Sequence, residues 1–157
     1  MRVRVAMVGP YSPKASSSEA MDIFDNIRRG IKNASILMEV GFAPICPWTD
    51  WVYLLINDGY IPTLKDLQEV SMSLLHGADA VVCTKGWENS VGSRKELEFA
   101  HDMRIPIFFS IGGFIMTAPS QRGSFKSFAC TDSFLAGMKR DWDEFFLNKK
   151  IDETLEP

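Results

Sequence analysis

The chain has 157 residues, 46% hydrophobic and 24% charged, with 17 basic against 20 acidic side chains and a formal net charge of -3. That length suits one domain with a core large enough to fold without a metal or a disulfide. The missing basic excess argues against a dedicated nucleic-acid binder, and the composition excludes disordered, collagen-like and coiled-coil chains.

Val3–Val8 is an apolar, β-branched run that stops at Gly9-Pro10, which predicts a buried strand and a turn. Its apolar run is too short for a signal peptide. Ser16-Ser-Ser-Glu19 reads as a capping box for a helix with Ile23, Phe24, Ile27, Ile31, Ala34, Leu37 and Met38 on one face, stopped at Gly41. Phe42–Cys46 is a second strand, ended by Pro47. Leu64, Leu67, Val70, Leu74 and Leu75 mark a second helix that closes near Gly77. Ala80–Cys83 is a third strand, Ser93–Met103 a third helix and Ile105–Ser110 a fourth strand. After a Gly/Ser/Thr-rich loop over 112–133, Leu135, Met138, Trp142, Phe145 and Phe146 give a last helix, and the acidic tail 151–157 is expected to fray. Residues 105–118 are the most apolar stretch, and at 14 residues they are too short to span a bilayer.

Continuously apolar strands alternating with helices predict a parallel sheet covered on both faces. The expected architecture is a single domain over residues 1–150. It is an α/β fold, a three-layer α/β/α sandwich with a flavodoxin- or Rossmann-like parallel sheet of about four to five strands. In the common 2-1-3-4 strand order, a ligand crevice lies at the carboxyl ends of the strands, between the first and third. The loops Gly9–Ser18 and Thr84–Ser93 face that crevice.

Several ligand and cofactor classes drop out. No GxGxxG, GxxxxGK[ST] or CxxC is present. Cys46, Cys83 and Cys130 read as free thiols of a reducing cytoplasm, and no cofactor or metal is expected. Tyr11 stands at the crevice mouth, where a phenol can touch a sugar or base, or else packs on a rigid turn. Ser90, Gly92 and Ser93 lie at a helix start, whose unpaired N–H groups favour an anion. Glu96 is either turned back toward the crevice or is the partner of Ser93 in a capping box. Trp48 and Trp51 either stack on a base or fill a core or subunit interface.

The order GPYS after the first strand, G-x-x-P-x-x-P around the second, then GADAVV followed by GWENSVGSRKELEFA, resembles the nucleoside 2-deoxyribosyltransferase superfamily. That superfamily includes the 2′-deoxynucleoside 5′-monophosphate N-glycosidases and small phage and bacterial relatives. The resemblance covers roughly residues 3–109, with Ser90, Gly92, Glu96 and Ala100 on the Ser-x-Gly-x-x-x-Glu pattern. It implies an N-glycosidase acting on a (deoxy)nucleoside 5′-monophosphate, with Glu96 as nucleophile and Tyr11 orienting it or the sugar. Gly9, Ser12, Trp48, Trp51, Glu88, Asn89, Ser90, Gly92 and Ser93 would bind substrate. A deoxyribosyltransferase and a non-catalytic nucleotide-binding module are the alternatives. Ser90 stands where many transferases carry aspartate, and in the hydrolase branch a serine there resembles a 5′-phosphate ligand.

The hydrolase branch also places an aspartate eight residues before the Asp that opens the third strand. Counting back from Asp79 gives Ser71, which cannot act as an acid. Asp50, Asp58 or Glu88 would then approach from loops. Partners are expected to be a nucleotide or nucleoside and further copies of the chain, with 112–133 completing a neighbour's site. Neither a membrane nor a nucleic-acid polymer is expected.

Overall fold

The computed structural model describes residues 1–11, 19–50, 59 and 63–155. Strand β1 (Arg4–Val8) is flanked by β2 (Ala43–Ile45) and β3 (Ala80–Cys83), and β4 (Ile107–Phe108) pairs with the outer edge of β3. All pairings are parallel and the order is β2-β1-β3-β4. Val5 and Met7 of β1 enter one apolar cluster and Ala6 and Val8 the other, so the alternation of a strand feeds both faces. Helices α1 (Glu19–Glu39), α4 (Ile111–Thr117) and α5 (Arg122–Ala129) cover the first face. The second is covered by α2 (Leu64–His76) and α3 (Val91–Asp102), with Trp142 of α6 (Asp132–Leu155) packed against it. The three-layer α/β/α, Rossmann-like sandwich is therefore present, with four parallel strands among the described residues.

Local chemistry fixes the element ends. α1 closes in a Schellman turn: Phe42 N–H donates to the Leu37 carbonyl and Gly41 N–H to that of Met38, with Gly41 at φ 97°. α2 opens on a reciprocal cap, where Thr63 Oγ1 accepts from Asp66 N–H and the Asp66 carboxylate accepts from Thr63 N–H. The capping box expected at 16–19 lies outside the described residues. α3 ends as α1 does, except that Arg104 takes the left-handed position at φ 56°.

Three expectations change. β4 is two residues long instead of six, because Ile105 N–H closes the end of α3 on the Ala100 carbonyl and Ser110 already caps α4. The segment 112–133 is largely helical, not a loop. Phe114 and Phe125 are fully buried in the core, Phe114 stacking 4.6 Å from Phe42, and this aromatic payload folds the segment onto its own sheet. The last helix continues to Leu155, through much of the tail expected to fray.

The amino end of the sheet is fastened by Asp79. Its carboxylate accepts from Arg4 N–H at 2.9 Å and from Arg122 Nε at 2.7 Å, while Val3 N–H reaches the Ser120 carbonyl. Arg122 thereby joins α5 to the β1 and β3 entrances.

Candidate active site

At the opposite end, the chain leaves three adjacent strands within a small space. Gly9 follows β1 and is pinched between the exits of its two neighbours. A methyl group there would overlap the Thr84 hydroxyl and press on the Trp48 ring. Trp48 lies in a short 3-10 turn (Pro47–Thr49) after β2, and its indole N–H donates to the Pro10 carbonyl at 3.1 Å. This bond ties the β2 exit to the β1 exit and sets Asp50, which is 9% exposed, beside the loop carrying Tyr11. After β3, Gly86 takes φ 92° and leads into a second 3-10 turn (Trp87–Asn89) and then α3.

The helix start differs from the sequence expectation. α3 begins at Val91 and its cap is Ser90, whose Oγ accepts from Ser93 N–H at 3.2 Å. Glu96 is thus the sixth residue of the helix and too far along to close a capping box with Ser93. Its carboxylate turns to α2 instead, where Ser71 Oγ donates to Glu96 Oε1 at 2.6 Å. The serine that cannot supply a proton still stands where the eight-residue count put it, and it steers the candidate nucleophile.

The electrostatics of the crevice are those of acids without cations. Burial pushes the Glu96 carboxyl above the usual range; the Ser71 hydrogen bond opposes this and the Asp50 charge adds to it. Burial alone raises Asp50. Tyr11 is raised by burial and then by Asp50. Beneath them the Cys83 thiol is pushed up well above its ordinary value by burial, with Glu88 and Glu96 adding to the effect. Among the described residues no salt bridge involves Asp50 or Glu96. Two carboxyls, one hydroxyl donor and a phenol therefore share the crevice. Such a set can hold one carboxylate ionised beside a developing positive charge and keep another protonated.

The remaining expected site residues divide into groups. Gly9 and Tyr11 line the crevice side of the first loop. Gly92 stands beside the Ser90 hydroxyl with no other non-neighbouring atom within 4 Å of where its Cβ would be. Ser90 uses one lone pair as the cap, which leaves its proton available to an anion. Ser93 is 2% exposed and its hydroxyl has no hydrogen-bond partner. Glu88 and Asn89 are exposed on the 3-10 turn. Trp48 is a correction: at 1% exposure, with its ring against Gly30 and its N–H spent on Pro10, it is core and has no face to offer a base. Ser12 and Trp51 lie outside the described residues, as does Asp58. Asp50 is the loop carboxyl that reaches the crevice, and its position between two tryptophans hid that role in the sequence.

A separate cleft of about 390 Å³ lies between α3 and α6, lined by His101, Ile107, Phe109, Met138 and Trp142 among others. His101 stacks on Trp142 there with ring centroids 4.3 Å apart. It holds none of the groups described above. Among the described residues no cluster of His, Cys, Asp or Glu is placed to hold a metal ion, and no helix is long and apolar enough to cross a membrane.

A family model described as a domain of unknown function (DUF4406) matches residues 29–109, just over half of the chain. The matched span runs from α1 to the end of the fourth strand and includes Asp50, Ser71 and Glu96. No curated protein matches the chain.

Proposed function

The chain belongs to the DUF4406 family, and from that premise we propose that it is an N-glycosidase that releases the base from a (deoxy)nucleoside 5′-monophosphate. The observation that carries this reading is the Glu96 carboxylate, free of any capping duty and oriented across two helices by Ser71 at 2.6 Å. An N-glycosidic bond breaks through an oxocarbenium-like state at C1′, and a fixed carboxylate without a cation partner suits that charge. The Glu96 carboxylate attacks C1′, and the electron pair of the C1′–N bond leaves with the base, which takes up a proton. Water then attacks C1′ of the glycosyl ester, gives up a proton, and returns Glu96 as carboxylate.

The Ser90 hydroxyl and the start of α3 support binding of the 5′-phosphate, since helix N-termini favour anions. Tyr11 would touch the sugar. Homo-oligomers that share sites and a cytoplasmic setting belong to the same proposal; sedimentation over a concentration series tests the first.

The test is a panel of ribo- and deoxynucleoside monophosphates and nucleosides, with free base measured by chromatography, for the wild type and Glu96→Gln. Release of base from a monophosphate, lost by at least 100-fold in Glu96→Gln, is the expected result. Turnover only with an added acceptor base would make the chain a transferase. Saturable binding without turnover would make it a nucleotide-binding module. Turnover undiminished in Glu96→Gln would remove Glu96 from the chemistry.

A further inference from the structure

The two crevice carboxyls come from opposite sides of β1. Glu96 sits on the helix after β3, and Asp50 follows the 3-10 turn after β2. The Asp50 backbone is set by its N–H on the Pro47 carbonyl, and the turn is anchored through Trp48 to Pro10. Its side chain is almost buried, and its charge is felt by Tyr11, by Cys46 and by Glu96. An outward-facing side chain would not reach groups on three separate segments. The carboxyl therefore looks into the crevice.

We propose that Asp50 is the acid that protonates the departing base and the base that later activates water, the work for which Ser71 has no proton to give. This rests on the N-glycosidase reading. The two carboxyls differ in the way the reaction requires. Glu96 receives a short hydrogen bond that favours its ionised form. Asp50 has burial against its ionised form and an adjacent Glu96 charge to repel it. Paired carboxyls whose surroundings push them apart divide into a nucleophile and an acid.

In the first step the Asp50 O–H proton passes to a nitrogen of the base as the C1′–N bond breaks and the C1′–O bond to Glu96 forms. In the second, the Asp50 carboxylate takes a proton from water as the water oxygen bonds C1′ and the Glu96 ester bond breaks. Each carboxyl ends as it began, and the sum is nucleotide plus water to base plus sugar phosphate.

The experiment compares two substrates. One is the best monophosphate of the panel; the other is N7-methyldeoxyguanosine 5′-monophosphate, whose base is already cationic and leaves without a proton. Asp50→Asn is expected to lose at least 100-fold in kcat on the first and less than about 5-fold on the second, in line with the usual worth of a general acid. Glu96→Gln loses both. Equal losses of Asp50→Asn on both substrates, or no loss on either, would overturn the assignment while leaving the N-glycosidase reading intact. A wild type that cleaves neither substrate ends both. Should Asp50→Asn fail to fold, as judged by circular dichroism, Asp50→Glu serves in its place. The longer arm misplaces the proton and must lower the first-to-second substrate ratio; an unchanged ratio overturns the proposal.

Discussion

Replacing Ser71 with alanine removes one hydroxyl and strands one carboxylate oxygen. The bond is 2.6 Å long and its acceptor is a partly buried acid. Hydrogen bonds to charged groups contribute about 1.5–3 kcal/mol net, and alanine recovers up to about 0.5 kcal/mol of helix propensity inside α2. The expected loss at pH 8 is therefore about 2 kcal/mol. For a chain of this length that corresponds to roughly 4–8 °C in Tm.

The loss depends on pH with a definite sign. The folded-state pKa of Glu96 is raised, first by burial and then by Asp50. Its stabilising contribution is complete below the unfolded carboxylate pKa and is lost as pH rises through the folded value. Ser71 limits that loss by favouring the ionised form. Without it, ionisation costs more, so the gap between wild type and Ser71→Ala widens with rising pH. At pH 4.5 the bond joins neutral groups, is worth about 0.5–1.5 kcal/mol, and the helix-propensity gain offsets part of it. Asp50 titrates in both proteins and largely cancels in the difference. Urea unfolding of both proteins at pH 4.5 and pH 8 measures this directly. An equal loss at both pH values, or none at pH 8, would refute the pairing of Ser71 with an ionised Glu96.

Two further perturbations probe the frame of the crevice. Gly30→Ala would drive a methyl group into the buried Trp48 ring; overpacking costs about 1–3 kcal/mol against about 1 kcal/mol of helix propensity gained. Thermal melts should show a lower Tm, whereas Gly137→Ala in α6, with nothing within 4 Å, should raise it. Arg104→Gly relieves a side chain held at φ 56° and is expected to stabilise the chain by about 0.5–1 kcal/mol, as read from the urea midpoint. A lower midpoint would mean that the Arg104 side chain contributes more than its backbone costs.

The layers of the sandwich were readable because the strands are short, apolar and bounded by Gly or Pro. Ala80–Cys83 matches its sequence range residue for residue. The segment after β4 was not readable, since Gly112, Gly113 and a spread of Ser and Thr lower its local helix propensity. What folds it is tertiary: Phe114 and Phe125 meet Phe42 and Phe108 across the face of the sheet. Propensity yields to burial there. At the site, the spacing found Glu96 and even the position of its helper. It failed on the chemistry of that helper, because only geometry reveals that a serine without acidity still points its hydroxyl at the carboxylate. The local Ser93-x-x-Glu96 pattern misled in the opposite direction, since the helix starts two residues early and Ser90 takes the cap.

Trp48 joins parts of the chain that evolution would otherwise change independently. Its ring occupies the space a side chain at position 30 would need, and its N–H holds the peptide at position 10. Positions 10, 30 and 48 should therefore drift as one inherited unit. Where a homologue carries a smaller residue at 48, a larger one is expected at 30, along with a new anchor for the first loop. Libraries aimed at changing base preference would do better to hold these three fixed and vary the residues around Asp50 and Glu96, because a substitution at 48 moves both walls of the crevice at once.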